Sequence, residues 1–147
     1  MEHKPKVFLD SSVIIAGLLS SRGGSFYILT TLSQYFYFQI NEYVLEEVRE
    51  IIKTKFSDRQ NMQTLLYLWL GVCPIVVSEN PTEKKVKEIS KFISINDAPI
   101  LASALKHSDY LLTLDNEFFG EKILSLANKK SLQILKPKEL IETLKTK

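Results

Sequence analysis

Four carboxylates stand where they could share one task. Asp10 closes the apolar run KVFLD, Glu47 lies in the segment after Asn41, Asp97 precedes the run APILASALKH, and Asp115 closes YLLTLD. Oxygen-only clusters suit hard divalent cations. Mg²⁺ or Mn²⁺ held by carboxylates, with positions left open to water, is an apparatus for phosphodiester cleavage. Each acid also has a plainer role. Asp10, followed by Ser11 and Ser12, could cap a helix, and Asp97 is an ordinary N-cap residue. Asp115, like Asn116, suits a turn. Glu47 lies beside Glu46 and near Glu50, where solvated surface is the usual fate. Its spacing separates it from them. Glu47 follows Val44 by three residues and so borders the apolar stripe of Val44, Val48 and Ile51.

The elements that must position these acids alternate along the chain. Lys6–Asp10 reads as a strand, followed by a helix over Val13–Leu19 capped by Ser11 or Ser12. Gly23 and Gly24 break the chain, and Ser25 caps a second helix to about Ser33. YFYFQI over Tyr35–Ile40 predicts a strand. Asn41 caps the helix carrying Glu47. Gln60–Leu70 predicts a helix stopped by Gly71, Cys73–Ser78 a strand, and Thr82–Phe92 an amphipathic helix. Asn96 or Asp97 opens a helix that tolerates Pro99 in its first turn and ends at His107. Tyr110–Leu114 and Leu132–Leu135 read as strands and Pro137–Leu144 as a last helix. Strands alternating with helices predict an α/β fold, a three-layer sandwich around a mostly parallel sheet. Sites in such sheets form beyond the carboxyl ends of the strands, near a topological switch. Two of the predicted strands end there on an aspartate.

Composition narrows the class. With 147 residues, 45% hydrophobic and 24% charged, the chain suits one globular domain over residues 1–147 rather than a disordered or coiled-coil chain. No apolar run reaches a membrane span. MEHKPKVFLD carries no apolar stretch ahead of a small-residue cleavage site, so no signal peptide is expected. The single cysteine, Cys73, excludes an internal disulfide and a cysteine-rich zinc site, and with only His3 and His107 a histidine-based metal cluster is poorly supplied. A cytoplasmic location follows as the expectation. No phosphate-cradling G-x-x-x-x-G-K-[ST] or G-x-G-x-x-G motif occurs.

Three blocks of sequence resemble a known family. VFLDSSVIIAGLL resembles the opening of a PIN domain, the nuclease domain of many bacterial and archaeal toxins. INEYVLEEVREII is similar to its second acidic helix, and NDAPILASALKHSDYLLTLDNEFF to its later block. The glycine break at Gly23-Gly24-Ser25 and the closing LQILKPKELIE suit its VapC-like and related toxin members. The likeness spans nearly the whole chain, and the order of the blocks makes it specific.

The resemblance implies a metal-dependent endoribonuclease, with one or two Mg²⁺ or Mn²⁺ ions held by Asp10, Glu47, Asp97 and Asp115. It implies products with a 5′-phosphate and a 3′-hydroxyl. Ser11 matches the residue supporting the first aspartate, Thr113 the threonine before the last, and Glu117 a place often held by a further acid. Ser12 stands where asparagine is commoner, with a shorter reach and no amide donors. Setting the four carboxylates aside turns the net charge of +2 into +6. A cationic surface around an anionic pocket suits a polyanionic substrate such as RNA. Lys129, Lys130, Lys136 and Lys138 are candidates for that rim; taken singly, each reads as solubilising. The crowded apolar residues Leu66, Leu68, Trp69 and Leu70, with Tyr67, point to core packing, to a homodimer, or to a partner helix. A cognate antitoxin is the partner the toxin resemblance implies. The alternative is a PIN-like module that binds RNA or protein without cleaving. Four acids at these places favour the enzyme, because nothing in the fold demands them.

Overall fold

The computed structural model describes residues 4–73 and 75–145. Five strands form one sheet: β1 (Lys6–Leu9), β2 (Tyr37–Asn41), β3 (Ile75–Ser78), β4 (Tyr110–Leu112) and β5 (Gln133–Leu135). Their order is β3-β2-β1-β4-β5, and every pairing is parallel. Among the described residues eight α-helices connect and cover them: α1 (Ser11–Leu19), α2 (Gly24–Thr30), α3 (Glu42–Lys55), α4 (Asn61–Val72), α5 (Glu83–Ile89), α6 (Ala98–His107), α7 (Glu121–Lys129) and α8 (Pro137–Lys145).

The strand order explains the layers. From β1 the chain moves outward through β2 to β3, then returns to the other side of β1 for β4 and β5. Right-handed crossovers therefore carry α1–α4 on one face and α5–α7 on the other. The packing agrees: α1 contacts α2, α3 and α4, α5 contacts α6, α6 lies on β1 and β4, and α8 returns to α2. The direction of travel reverses between β1 and β4, which makes their carboxyl ends the topological switch.

The central strand is covered on both sides, as parallel strands usually are. Val7, Phe8 and Leu9 are buried in one core with Phe38, Ile40, Leu111 and Leu112. The edge strand β3 differs, with Val76 and Val77 exposed. Among the described residues no single helix is long and apolar enough to cross a membrane. The apolar pair α1 and α2 is bent by 96° and feeds Val13, Ile14, Ile28 and Leu29 into the core.

Local signals fail at identifiable places. Neither Ser11 nor Ser12 caps α1; the helix starts at Ser11, and both hydroxyls turn to carboxylates instead. Ser25 lies buried inside α2, whose N-cap is Gly23, and α2 ends at Thr30. The strand expected from Tyr35 begins at Tyr37, because Ser33–Tyr35 form a 3-10 turn; Phe36 and Phe38 are buried and Tyr35 and Tyr37 exposed. Gly71 does not stop α4, which continues to Val72. The strand expected over residues 73–78 begins at Ile75; Pro74 and His3 lie outside the described residues. Helix α7, absent from the sequence reading, covers β5 with Ile123 and Ala127 buried.

Candidate metal and nuclease site

Register brings the first acid and the threonine together. Leu9 pairs with Leu112, so one residue further on Asp10 meets Thr113. The Asp10 backbone N–H donates to the Leu112 carbonyl at 3.0 Å, which carries the ladder to the sheet's edge. Asp10 is only 3% exposed. Its Oδ2 accepts from Thr113 Oγ1 and Ser12 Oγ, each at 2.7 Å. Burial pushes its pKa up; the two hydroxyls pull it back, and the charge of Asp115 raises it again.

The same hydroxyls hold the segment after β4. Ser12 Oγ accepts from the Leu114 N–H at 3.1 Å, and Thr113 Oγ1 accepts from the Asp115 N–H at 3.0 Å. Each therefore joins the Asp10 carboxylate to the backbone leading into Asp115. A serine suffices at position 12 because both of its partners lie within reach of a one-carbon side chain.

Glu47 enters from α3. Asn41 caps this helix by accepting from the Val44 N–H at 2.9 Å. Val44, Val48 and Ile52 face the core, Glu46 is exposed, and Glu47 is half-buried. Ser11 Oγ donates a hydrogen bond to Glu47 Oε1. Burial raises the pKa of Glu47, Ser11 opposes the shift, and the charges of Asp10 and Asp115 add to it.

Asp97, Asp115 and Glu117 form the tightest group, each offering an oxygen within 4.8 Å of the others. The Asp97 carboxylate makes no capping bond at the start of α6. It accepts from Ser94 Oγ at 3.3 Å instead. Asp115 does act in a turn, accepting from the Glu117 N–H at 3.0 Å. Glu117 reaches back to accept from the Ser94 N–H at 2.9 Å. Burial, together with a hydrogen bond to Glu117 and the charges of Asp115, Glu117 and Asp10, lifts Asp97 to about 7. Glu117 is held low by the Ser94 N–H and by Asp97.

The four acids named from the sequence thus approach one another from the residue after β1, from α3, from the residue before α6 and from the segment after β4. Glu117, expected only in support, stands among them. Its signal was the turn after Asp115, which points residue 117 back toward α6. Tyr43 is a further neighbour that the sequence reading passed over. Burial and the charges of Glu47 and Asp97 raise its pKa.

Among the described residues none of the five carboxylates forms an ion pair. A crowded acidic group with no paired cationic side chain among the described residues, made wholly of oxygen donors, fits a hard divalent cation. Asp97, Asp115 and Glu117 are the residues closest together for that purpose.

The lysines divide. Lys136 and Lys138 follow β5 at the sheet's carboxyl edge, and Lys136 Nζ donates to Asn116 Oδ1 at 3.0 Å. Lys129 and Lys130 precede β5 and lie toward the amino edge, away from the acids. Asp109 also lies at that amino edge, tied to Lys6 by reciprocal bonds at 2.8 Å. Two clefts of about 720 and 750 Å³ open elsewhere on the surface, and neither is lined by any of the five carboxylates. Chemistry rather than cavity size therefore locates the site. Lys130 and His107 line the first cleft, with Ile89 and Leu105 among its apolar residues.

Comparison with known proteins accords with the fold. No curated protein matches the sequence. Solved structures share the fold, among them two bound to DNA fragments. One is VapBC2 from Rickettsia felis bound to a DNA fragment from their promoter, with TM-score 0.66 and 17% identity, covering 89% of this chain and 98% of that one. The other is FitAB bound to the IR36 DNA fragment, with TM-score 0.57 and 20% identity, covering 89% and 94%. The family model described as PIN domain matches residues 7–120, from the first core residue of β1 through the turn that carries Glu117. That span holds all five carboxylates, and by it the chain belongs to the PIN domain family.

Proposed function

We propose that this chain is a metal-dependent endoribonuclease and the toxin of a toxin–antitoxin pair. The observation that carries the enzymatic reading is the gathering of five carboxylates at the β1–β4 switch, with Asp97, Asp115 and Glu117 oxygens within 4.8 Å of one another and no cationic side chain paired to them among the described residues. Such a group is costly to keep charged. A bound cation would relieve that cost.

Asp10, Glu47, Asp97 and Asp115 would hold Mg²⁺ or Mn²⁺, with Glu117 beside Asp97 and Asp115. When bound, the ion supplies Lewis-acid polarisation of the scissile phosphate and acidifies the attacking water. The chain's own residues do the rest. Ser12 and Thr113 keep the Asp10 carboxylate in one orientation. Ser11 does the same for Glu47. Because its pKa is raised, Asp97 must give up a proton before its carboxylate can act as a ligand. Lys136 and Lys138, on the same edge of the sheet, suit contact with substrate phosphates.

The partner reading rests on two supports. Both similar structures are named as VapBC2 and FitAB assemblies on DNA. In this chain α4 leaves Tyr67, Leu68 and Val72 exposed, an apolar face suited to an antitoxin segment or to a second copy in a homodimer.

The test is cleavage of a mixed single-stranded RNA pool with Mn²⁺ or Mg²⁺, run beside EDTA, Asp10→Asn and Asp97→Asn. Metal-dependent cleavage lost in both variants supports the enzyme. Folded protein that neither cleaves nor binds metal would instead be the non-catalytic module.

A further inference from the structure

Helix α3 packs on β2 and β3 and α6 on β1 and β4, and the two helices also touch; right-handed crossovers put them on opposite faces of the sheet, so they meet at its carboxyl edge. Two side chains at the start of α3 bridge them there. Asn41 is fully buried and uses every polar atom of its amide. Oδ1 accepts from the Val44 N–H at 2.9 Å, while Nδ2 donates to Ser103 Oγ at 2.8 Å and to the Pro99 carbonyl at 3.1 Å. Two residues later, the Tyr43 hydroxyl donates to the Asn96 carbonyl at 2.6 Å, directly before Asp97. The Tyr43 N–H is itself fixed by Asn80 Oδ1 at 2.7 Å.

We propose that Asn41 and Tyr43 are positioning residues that clamp the start of α6 to the start of α3 and so hold Asp97 in place relative to Glu47. The inference deepens the metal-site reading above and rests on it for its functional meaning. Capping alone does not account for Asn41. Serine, threonine or aspartate would cap α3 equally well. Only asparagine adds two N–H donors to the capping oxygen, and here both reach α6. Burying that amide is unfavourable unless all its bonds are made. Tyr43 is matched in the same way, since its phenol ends on the backbone of the residue preceding Asp97. The consequence is geometric. The two carboxylates belong to elements on opposite faces of the sheet, and ligands that slip by about 1 Å lose much of their effect.

The test uses Asn41→Ser, which keeps a capping oxygen and drops both bonds to α6, with Tyr43→Phe and Ser103→Ala. Mn²⁺ affinity is measured by titration calorimetry on the full chain, beside thermal unfolding without metal. Tyr43→Phe is expected to weaken Mn²⁺ binding about fivefold, and Asn41→Ser about tenfold or more. Tyr43→Phe should do so with its metal-free melting temperature within a few degrees of wild type. Affinities within twofold of wild type in Tyr43→Phe and Ser103→Ala overturn the proposal, and these two variants decide it if Asn41→Ser does not fold. If wild type takes up no Mn²⁺, the metal reading has failed, and the clamp is judged separately by hydrogen exchange of the metal-free protein. The Ile100 and Leu101 amides, both bonded to the Asp97 carbonyl at 3.1 Å, should then exchange faster in Tyr43→Phe. Unchanged protection there overturns the clamp as well.

Discussion

Thr113 donates its hydroxyl to Asp10 across 103 residues of sequence, at 2.7 Å, in the interior of the protein. The same oxygen accepts the backbone N–H of Asp115. One buried hydroxyl therefore orients the first acid of the site and anchors the last. Its position follows from strand register, since β1 and β4 pair at Leu9 and Leu112.

Replacing that hydroxyl by a methyl group isolates its role. Thr113→Val keeps shape and β-propensity but leaves the Asp115 N–H without its acceptor and Asp10 with one donor fewer. We expect a loss of about 1–3 kcal/mol in stability, together with at least a tenfold loss of metal-dependent cleavage. Thr113→Ser should retain most of both. Denaturant unfolding and cleavage assays on the pair of variants check this.

The acidic cluster sets a sign for pH dependence. Asp97 is lifted to about 7 from an ordinary 3.8, so the folded protein holds a proton that the unfolded chain has lost between those values. Stability from that group is present at low pH and lost as pH rises through about 7. Asp10 and Glu47 are raised too and act in the same direction. Glu117 is lowered, and its opposite contribution falls away only below the ordinary carboxylate range, outside this window. Metal-free protein should therefore melt at a higher temperature at pH 5.5 than at pH 8. Asp97→Asn should flatten that slope, and saturating Mn²⁺ should reverse it by displacing the proton. Thermal scans across pH, with and without Mn²⁺, measure all three.

Two glycines give a contrast in packing. A Cβ on Gly17 would stand 2.9 Å from the buried indole of Trp69, where α1 and α4 approach closely. Gly17→Ala should destabilise the protein by about 1–3 kcal/mol through overpacking. A Cβ on Gly71 would meet nothing within 4 Å. Gly71→Ala in the last turns of α4 should stabilise by up to about 1 kcal/mol, because alanine gives up less backbone entropy in a helix. Opposite shifts in melting temperature are the expected readout.

The division of the lysines makes a prediction about substrate. On the ribonuclease reading, Lys136→Ala should raise KM for RNA several-fold and lower the salt dependence of binding by about one counterion. Lys129→Ala, at the amino edge, should change KM by less than twofold. Steady-state cleavage at several salt concentrations separates the two.

The sequence by itself determined the alternation of strands and helices and the places of Asp10, Asp97 and Asp115 at the ends or starts of elements. These are local properties, legible because an apolar run, a helical stripe or a capping residue is encoded in neighbouring positions. Asn41 as the cap of α3 and Glu47 on the border of its buried stripe were legible for the same reason. Helix α7 was missed although its pattern is as amphipathic as that of α8, with Ile123 and Ala127 on its buried face, so its signal was local and present in the sequence. The tertiary structure alone decided which distant residues meet. Thr113 on Asp10, Asn41 on Ser103, Glu117 among the acids, and Lys129 parted from Lys136 all depend on the strand order β3-β2-β1-β4-β5. Strand order is set by which apolar faces pack best across the whole chain, and no local period in the sequence records it.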